Sequence, residues 1–61
     1  MNRILIVEDV NETRKWLCEI VRSAFPACKI REAATVRAGL AAADDAGFDL
    51  ALIDLGLPDG S

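Results

Sequence analysis

Short apolar runs alternate with longer amphipathic segments along this chain, and each run has the length of a strand. Residues 4–7 are all aliphatic, which is typical of a strand covered on both faces. Residues 28–33 place Ile30 between basic neighbours, and this period-two pattern predicts a strand near a sheet edge. Residues 48–55 form a third apolar run, with Asp49 near its start and Asp54 near its end. The pattern therefore predicts three strands.

The segment between the first two runs predicts a helix. Asn11 is a candidate N-cap, Glu12 places negative charge in the first turn, and Pro26 prevents the helix from continuing. The apolar positions that share one helical face are Trp16, Leu17, Ile20, Val21 and Ala24, whereas the charged residues Arg14, Lys15, Glu19 and Arg22 fall largely elsewhere.

A second helix is predicted over residues 36–46, with Thr35 as its N-cap and Gly47 as its C′ residue. Gly39 within this helix costs about 1 kcal/mol relative to Ala. The order strand, helix, strand, helix, strand with short connections predicts an α/β fold of parallel strands joined by right-handed crossovers. In such sheets the ligand site lies outside the carboxyl ends of the strands.

Composition excludes several classes of function. The chain has 61 residues, 52% of them apolar, and its 7 basic and 10 acidic residues give a net charge of -3. No cluster of Lys and Arg is dense enough for nucleic-acid binding, and no apolar run approaches the roughly 20 residues of a membrane span. Because the N-terminus lacks the zones of a secretory signal, we expect a cytoplasmic protein.

Cys18 and Cys28 are predicted to be small buried thiols, with a disulfide between them as the less favoured alternative.

Three carboxylates are predicted to meet at one rim of the sheet. Glu8 and Asp9 directly follow the first strand, and Asp54 lies at the end of the third. Like charges within a few ångströms disfavour joint ionisation unless a cation neutralises them. Mg²⁺ is the natural cation here, because it prefers oxygen ligands and is typically held by one or two carboxylates together with a substrate phosphate. Taken alone, Glu8 and Asp9 favour the simpler interpretation of a solvated turn followed by the start of a helix.

Two motifs together resemble the receiver domain of response regulators. They are Ile-Leu-Ile-Val-Glu-Asp at residues 4–9 and Ile-Asp-Leu-Gly-Leu-Pro-Asp-Gly at residues 53–60. The similarity spans the whole chain, and the second motif resembles receivers that are joined to helix-turn-helix output domains. The resemblance implies a flavodoxin-like, doubly wound parallel sheet, of which this chain would supply the first three strands and two helices.

The same resemblance implies a phosphotransfer site. Asp54 would attack the phosphorus of a phosphohistidine on a sensor histidine kinase and become an acyl phosphate, which is nucleophilic catalysis by a carboxylate. Glu8, Asp9, Asp54 and the backbone carbonyl of Gly56 would hold Mg²⁺. Pro58 and Gly60 would shape the loop beside the acceptor.

The chain departs from the family pattern at its end. A full receiver has five strands and five helices, and its later strands end in the Thr or Ser and the Lys that touch the phosphoryl group. No residue here can take those roles, so we expect residues 1–61 to be the N-terminal half of a receiver. For the isolated polypeptide we expect either poor order or folding as an oligomer, through pairing of the exposed third strand or exchange of elements between copies.

Two other classes of function compete with a phospho-acceptor. A nucleotide or flavin binder needs a phosphate-cradling glycine-rich loop after the first strand, and residues 7–11 contain none. A non-catalytic module for interaction or oligomerisation is not excluded by the residues. Mg²⁺-dependent labelling by a small phosphodonor would distinguish that module from a phospho-acceptor.

Overall fold

The computed structural model of the chain describes residues 2–45 and 47–54. Within them the predicted order of strands and helices is confirmed. The elements are β1 (Arg3–Val7), α1 (Asn11–Ala24), β2 (Lys29–Ala33), α2 (Val36–Asp45) and β3 (Leu50–Ile53). The second and third strands are shorter than predicted, and the prediction for Leu55 lies outside the described residues.

The three strands form one parallel sheet in the order β2-β1-β3. β1 lies in the centre and β2 at an edge, as their apolar and alternating patterns predict. The register pairs Val7 at the end of β1 with Ala33 on one side and Ile53 on the other. All three strands therefore end at the same rim of the sheet. This confirms an α/β fold with a parallel sheet.

The two helices cover opposite faces of the sheet. Successive side chains of β1 point to opposite sides, so this strand contributes to a buried cluster on each face. The buried cluster on the α1 side consists of Ile4, Ile6, Cys18 and Val21. The buried cluster on the α2 side consists of Leu5, Val7, Ala33 and Ala42. Since residues 4–7 of β1 contribute to both clusters in alternation, each of these four positions needs an apolar side chain, which explains the uninterrupted run.

The predicted inner face of α1 is partly wrong. Trp16 is 59% exposed, Ile20 is 46% exposed and Ala24 is also exposed, whereas Cys18 and Val21 are buried against the sheet. The apolar arc of this helix is wider than the strip that contacts the sheet. Packing against β1 selects the part of the arc centred near Cys18 and Val21, and leaves Trp16 and Ile20 on its flank.

The cysteines agree in part with prediction. Cys18 is buried and Cys28 is half-buried, and neither forms a disulfide. Burial raises the pKa of the Cys18 thiol, with Glu32 acting in the same direction. A thiol of raised pKa is a poor nucleophile, so Cys18 serves the core.

The ends of the helices show which of the predicted capping residues are correct. The Thr35 hydroxyl accepts a hydrogen bond from the Ala38 N–H at 3.0 Å, which confirms the predicted N-cap of α2. The prediction for Asn11 is wrong, because Val10 occupies the N-cap position and Asn11 is the first helical residue. The left-handed conformation expected of a C′ residue is also absent from Gly47, since no glycine in the described part of the chain has a positive φ.

Neither described helix is long and apolar enough to cross a membrane.

Candidate functional site

The site lies where β1 and β3 end side by side. The Asp54 N–H donates to the carbonyl of Val7 at 3.0 Å, so the hydrogen bonding between these strands continues to the residue after β3. Across β1, the Glu8 N–H donates to the carbonyl of Ala33 at 3.0 Å. These two bonds place Glu8 and Asp54 next to each other at the carboxyl rim of the sheet.

Glu8, Asp9 and Asp54 form a single cluster of carboxylates, as the sequence predicts. One carboxylate oxygen from each residue lies within 4.8 Å of the others. The three differ in exposure, because Glu8 is only 7% exposed, Asp54 is half-buried and Asp9 is exposed. The cluster therefore has a buried side at Glu8 and an open side at Asp9.

The crowding of the three carboxylates makes ionisation of Glu8 unfavourable. Its Oε2 atom is buried and has no hydrogen-bond partner among residues 2–45 and 47–54. The Asp54 side chain raises the pKa of Glu8 most, because two carboxylates can hydrogen-bond only when one of them holds a proton. Burial and the Asp9 side chain raise this pKa further, while the N–H of Val10 opposes them. The ionised form of Glu8 is thus disfavoured unless a positive charge reaches it.

The donor set fits a hard divalent cation. The cluster offers three carboxylates, and the unpartnered Oε2 of Glu8 is a buried acceptor that a cation would satisfy. Asp9 lies on the open side, where water ligands have access. Glu8, Asp9 and Asp54 are therefore the residues that would hold a divalent cation.

Part of the predicted site lies outside the described residues. This applies to the backbone carbonyl of Gly56, which the resemblance makes a metal ligand, and to Pro58 and Gly60 in the loop after the acceptor. Their roles remain predictions.

Arg14 is a residue at the site that the sequence analysis missed, because it was assigned to the polar side of α1. Its guanidinium donates to the carbonyl of Glu8 at 2.8 Å, to Oδ1 of Asn11 at 2.5 Å and to Oε1 of Glu32 at 3.1 Å. The side chain is only 15% exposed. The sequence did carry a signal for this contact. It was the presence of a basic residue near the start of α1 together with an acidic residue late in β2.

Asp49 was also missed as an anchor of the sheet. Its Oδ2 atom accepts hydrogen bonds from the N–H groups of Asn2 and Arg3, at 2.7 and 3.1 Å. These bonds lower the pKa of Asp49, the one from Asn2 most. The Asp49 N–H also donates to the carbonyl of Arg3 at 2.8 Å. Asp49 thereby ties the start of β3 to the start of β1, which helps to set the register that brings Asp54 beside Glu8.

No family model, curated protein or solved structure matches this chain.

Proposed function

We propose that this chain is a receiver segment of a two-component response regulator and accepts a phosphoryl group on Asp54 in the presence of Mg²⁺. The observation that carries the proposal is the clustering of Asp54 with Asp9 and with the buried Glu8, whose Oε2 atom lacks a hydrogen-bond partner, at the rim of a parallel sheet. The strand order β2-β1-β3 supports it, because the receiver sheet has the strand order 2-1-3-4-5 and its first three strands are arranged in the same way. On this proposal the sheet is the first part of a flavodoxin-like, doubly wound fold.

The half-buried side chain of Asp54 is suited to nucleophilic attack. The bond between its main chain and Val7 fixes the residue at the rim, so the carboxylate needs little reordering to reach a donor. A carboxylate oxygen forms a bond to phosphorus as the P–N bond of the donor phosphohistidine breaks, and the electron pair of that bond leaves on the imidazole nitrogen. The donor would be presented by a sensor histidine kinase.

Glu8 and Asp9 would bind Mg²⁺ together with Asp54. When bound, the metal offsets the negative charge of the carboxylates and of the phosphoryl oxygens. The burial of Glu8 removes water from one side of the cluster, and the exposure of Asp9 leaves the other side open to the donor. The raised pKa of Glu8 and its orphaned oxygen are the features that a bound cation relieves.

The proposal is tested by phosphorylating the full-length protein that carries this sequence with acetyl phosphate and Mg²⁺. We expect one phosphoryl group, located on Asp54 by peptide mapping, and no labelling when Mg²⁺ is removed by a chelator. Asp54→Asn should abolish the label, whereas the matched variant Asp44→Asn, outside the carboxylate cluster, should keep it. A label on Asp49 or Asp59, or undiminished labelling of Asp54→Ala, would disprove the assignment.

A non-catalytic interaction module is a second candidate, and one observation favours it. An apolar groove of about 130 Å³ lies between α2 and β3, next to Leu40 and Ile53, which are 63% and 50% exposed. An exposed apolar groove is a common feature of surfaces that contact another protein. The labelling experiment distinguishes the two candidates, because such a module would not be labelled on Asp54.

A further inference from the structure

Arg14 connects three parts of the structure through one side chain. Its Nε atom donates to Oε1 of Glu32 in β2, its Nη1 atom donates to the backbone carbonyl of Glu8, and its Nη2 atom donates to Oδ1 of Asn11 at the start of α1. The planar guanidinium makes these contacts in fixed relative directions. The Glu32 contact is also an ion pair, at 3.1 Å, and holds the guanidinium from the side of β2.

The contact with the Glu8 carbonyl is the one that bears on the acidic rim. This carbonyl belongs to the peptide unit that joins Glu8 to Asp9, so holding it restricts the backbone rotations that aim both carboxylates. The N–H of Glu8 is already held by the carbonyl of Ala33 at 3.0 Å. β2 therefore fixes both main-chain polar groups of Glu8, directly through Ala33 and indirectly through Glu32 and Arg14.

We propose that Arg14 is a positioning residue for the metal site, acting through the peptide between Glu8 and Asp9. This inference rests on the proposed function, since it assigns a role in holding the Mg²⁺ ligands. Arg14 contacts a carbonyl, and not a carboxylate, of the cluster. It aligns two of the metal ligands and leaves their carboxylate oxygens available.

The sign of the effect on Mg²⁺ affinity separates positioning from simple electrostatics. A positive charge near an acidic cluster repels a divalent cation, so its removal alone would strengthen Mg²⁺ binding. Loss of a positioning contact has the opposite effect, because residues that orient metal ligands typically contribute about 10- to 100-fold in affinity. Arg14→Met should therefore weaken Mg²⁺ binding even though it makes the protein more negative.

The experiment compares Mg²⁺ affinity in three variants of the full-length protein, followed by amide shifts at the rim. Arg14→Met removes the guanidinium, and Arg14→Lys keeps the charge but cannot reproduce the planar fork. Arg22→Met is the matched control, because it removes the same charge from the last turn of the same helix. We expect both Arg14 variants to bind Mg²⁺ about tenfold more weakly, and Arg22→Met to bind at least as tightly as the unmodified protein.

Hydrogen exchange of the Glu8 amide, which donates to the Ala33 carbonyl at 3.0 Å, provides a second readout when it is measured without metal. Freeing the Glu8–Asp9 peptide should speed this exchange in Arg14→Lys and leave it unchanged in Arg22→Met. Unchanged or tighter Mg²⁺ binding in the folded Arg14 variants would overturn the proposal. If Arg14→Met does not fold, Arg14→Lys carries the test. If the unmodified protein binds no Mg²⁺, the proposed function fails, and an unchanged Glu8 exchange rate in Arg14→Lys would separately overturn the positioning role.

Discussion

A Cβ atom on Gly39 of α2 would lie 2.8 Å from Cγ2 of Val7 in β1, closer than two carbon atoms can pack. Val7 is 1% exposed and β-branched, so its side chain has little freedom to move away. The absence of a side chain at Gly39 thus allows α2 to approach the strand residue that precedes Glu8. Glycine is less favourable than alanine within a helix, but at this position it permits α2 to pack closely against β1 beside the site.

Gly39→Ala should therefore destabilise the protein, although the same change in an open helix would stabilise it by about 1 kcal/mol. Overpacking predicts a loss of about 1–3 kcal/mol in the free energy of unfolding, measured by urea titration. The control is the same change in a Val7→Ala background, where the obstructing methyl groups are gone and Gly39→Ala should cost little. Stabilisation by Gly39→Ala in the unmodified protein would contradict the packing.

Mg²⁺ binding should depend on the open and the half-buried carboxylates of the cluster. We expect Asp9→Asn and Asp54→Asn each to weaken Mg²⁺ binding by at least roughly tenfold, because each change removes an anionic ligand. Binding can be followed by amide shifts at the rim or by the fluorescence of Trp16, which is 59% exposed on α1. Asp44→Asn removes the same charge outside the cluster and is the control. If the two cluster variants respond to Mg²⁺ like the unmodified protein, the assigned site is wrong.

Ionisation of Glu8 should weaken the metal-free fold as the pH rises. Folding raises the pKa of Glu8, chiefly through Asp54, so its contribution to stability is full below the ordinary value of 4.5 and is lost as the pH rises through the raised pKa. Glu8→Gln cannot ionise, and its stability relative to the unmodified protein should therefore increase with pH.

Urea midpoints of both proteins across that range, in buffer containing a chelator, provide the measurement. Glu19→Gln, which replaces an exposed carboxylate on α1, is the matched control. A constant difference between Glu8→Gln and the unmodified protein at all pH values would mean that folding does not raise the pKa of Glu8.

The polypeptide of residues 1–61 should self-associate when it is studied by itself. Among the described residues β3 pairs only with β1, so its outer edge offers main-chain groups to another copy. The groove beside Leu40 adds apolar surface next to that edge. Multi-angle light scattering across a dilution series should show concentration-dependent mass, reduced in Leu40→Gln. Ile20→Gln, on the other face of the sheet, should have no such effect, and a concentration-independent folded monomer would refute the prediction.

Much of the fold follows from local pattern. The aliphatic run of residues 4–7 indicates a central strand because only a strand covered on both faces needs apolar residues throughout. Thr35 caps α2 because the bond from its hydroxyl to a nearby N–H is local. Asn11 shows the limit of such signals, since its amide oxygen is taken by Arg14 and the cap position falls on Val10.

The sequence by itself determined the order of the elements and the rim at which Glu8, Asp9 and Asp54 lie, because both depend on periodicity and on the common direction of parallel strands. Only the tertiary structure decided which side of α1 meets the sheet and how deeply Glu8 is buried. It also decided the pairing of Arg14 with Glu32, 18 residues away along the chain. These features depend on packing between distant segments, whose distances and desolvation are not encoded in the local spacing of residues.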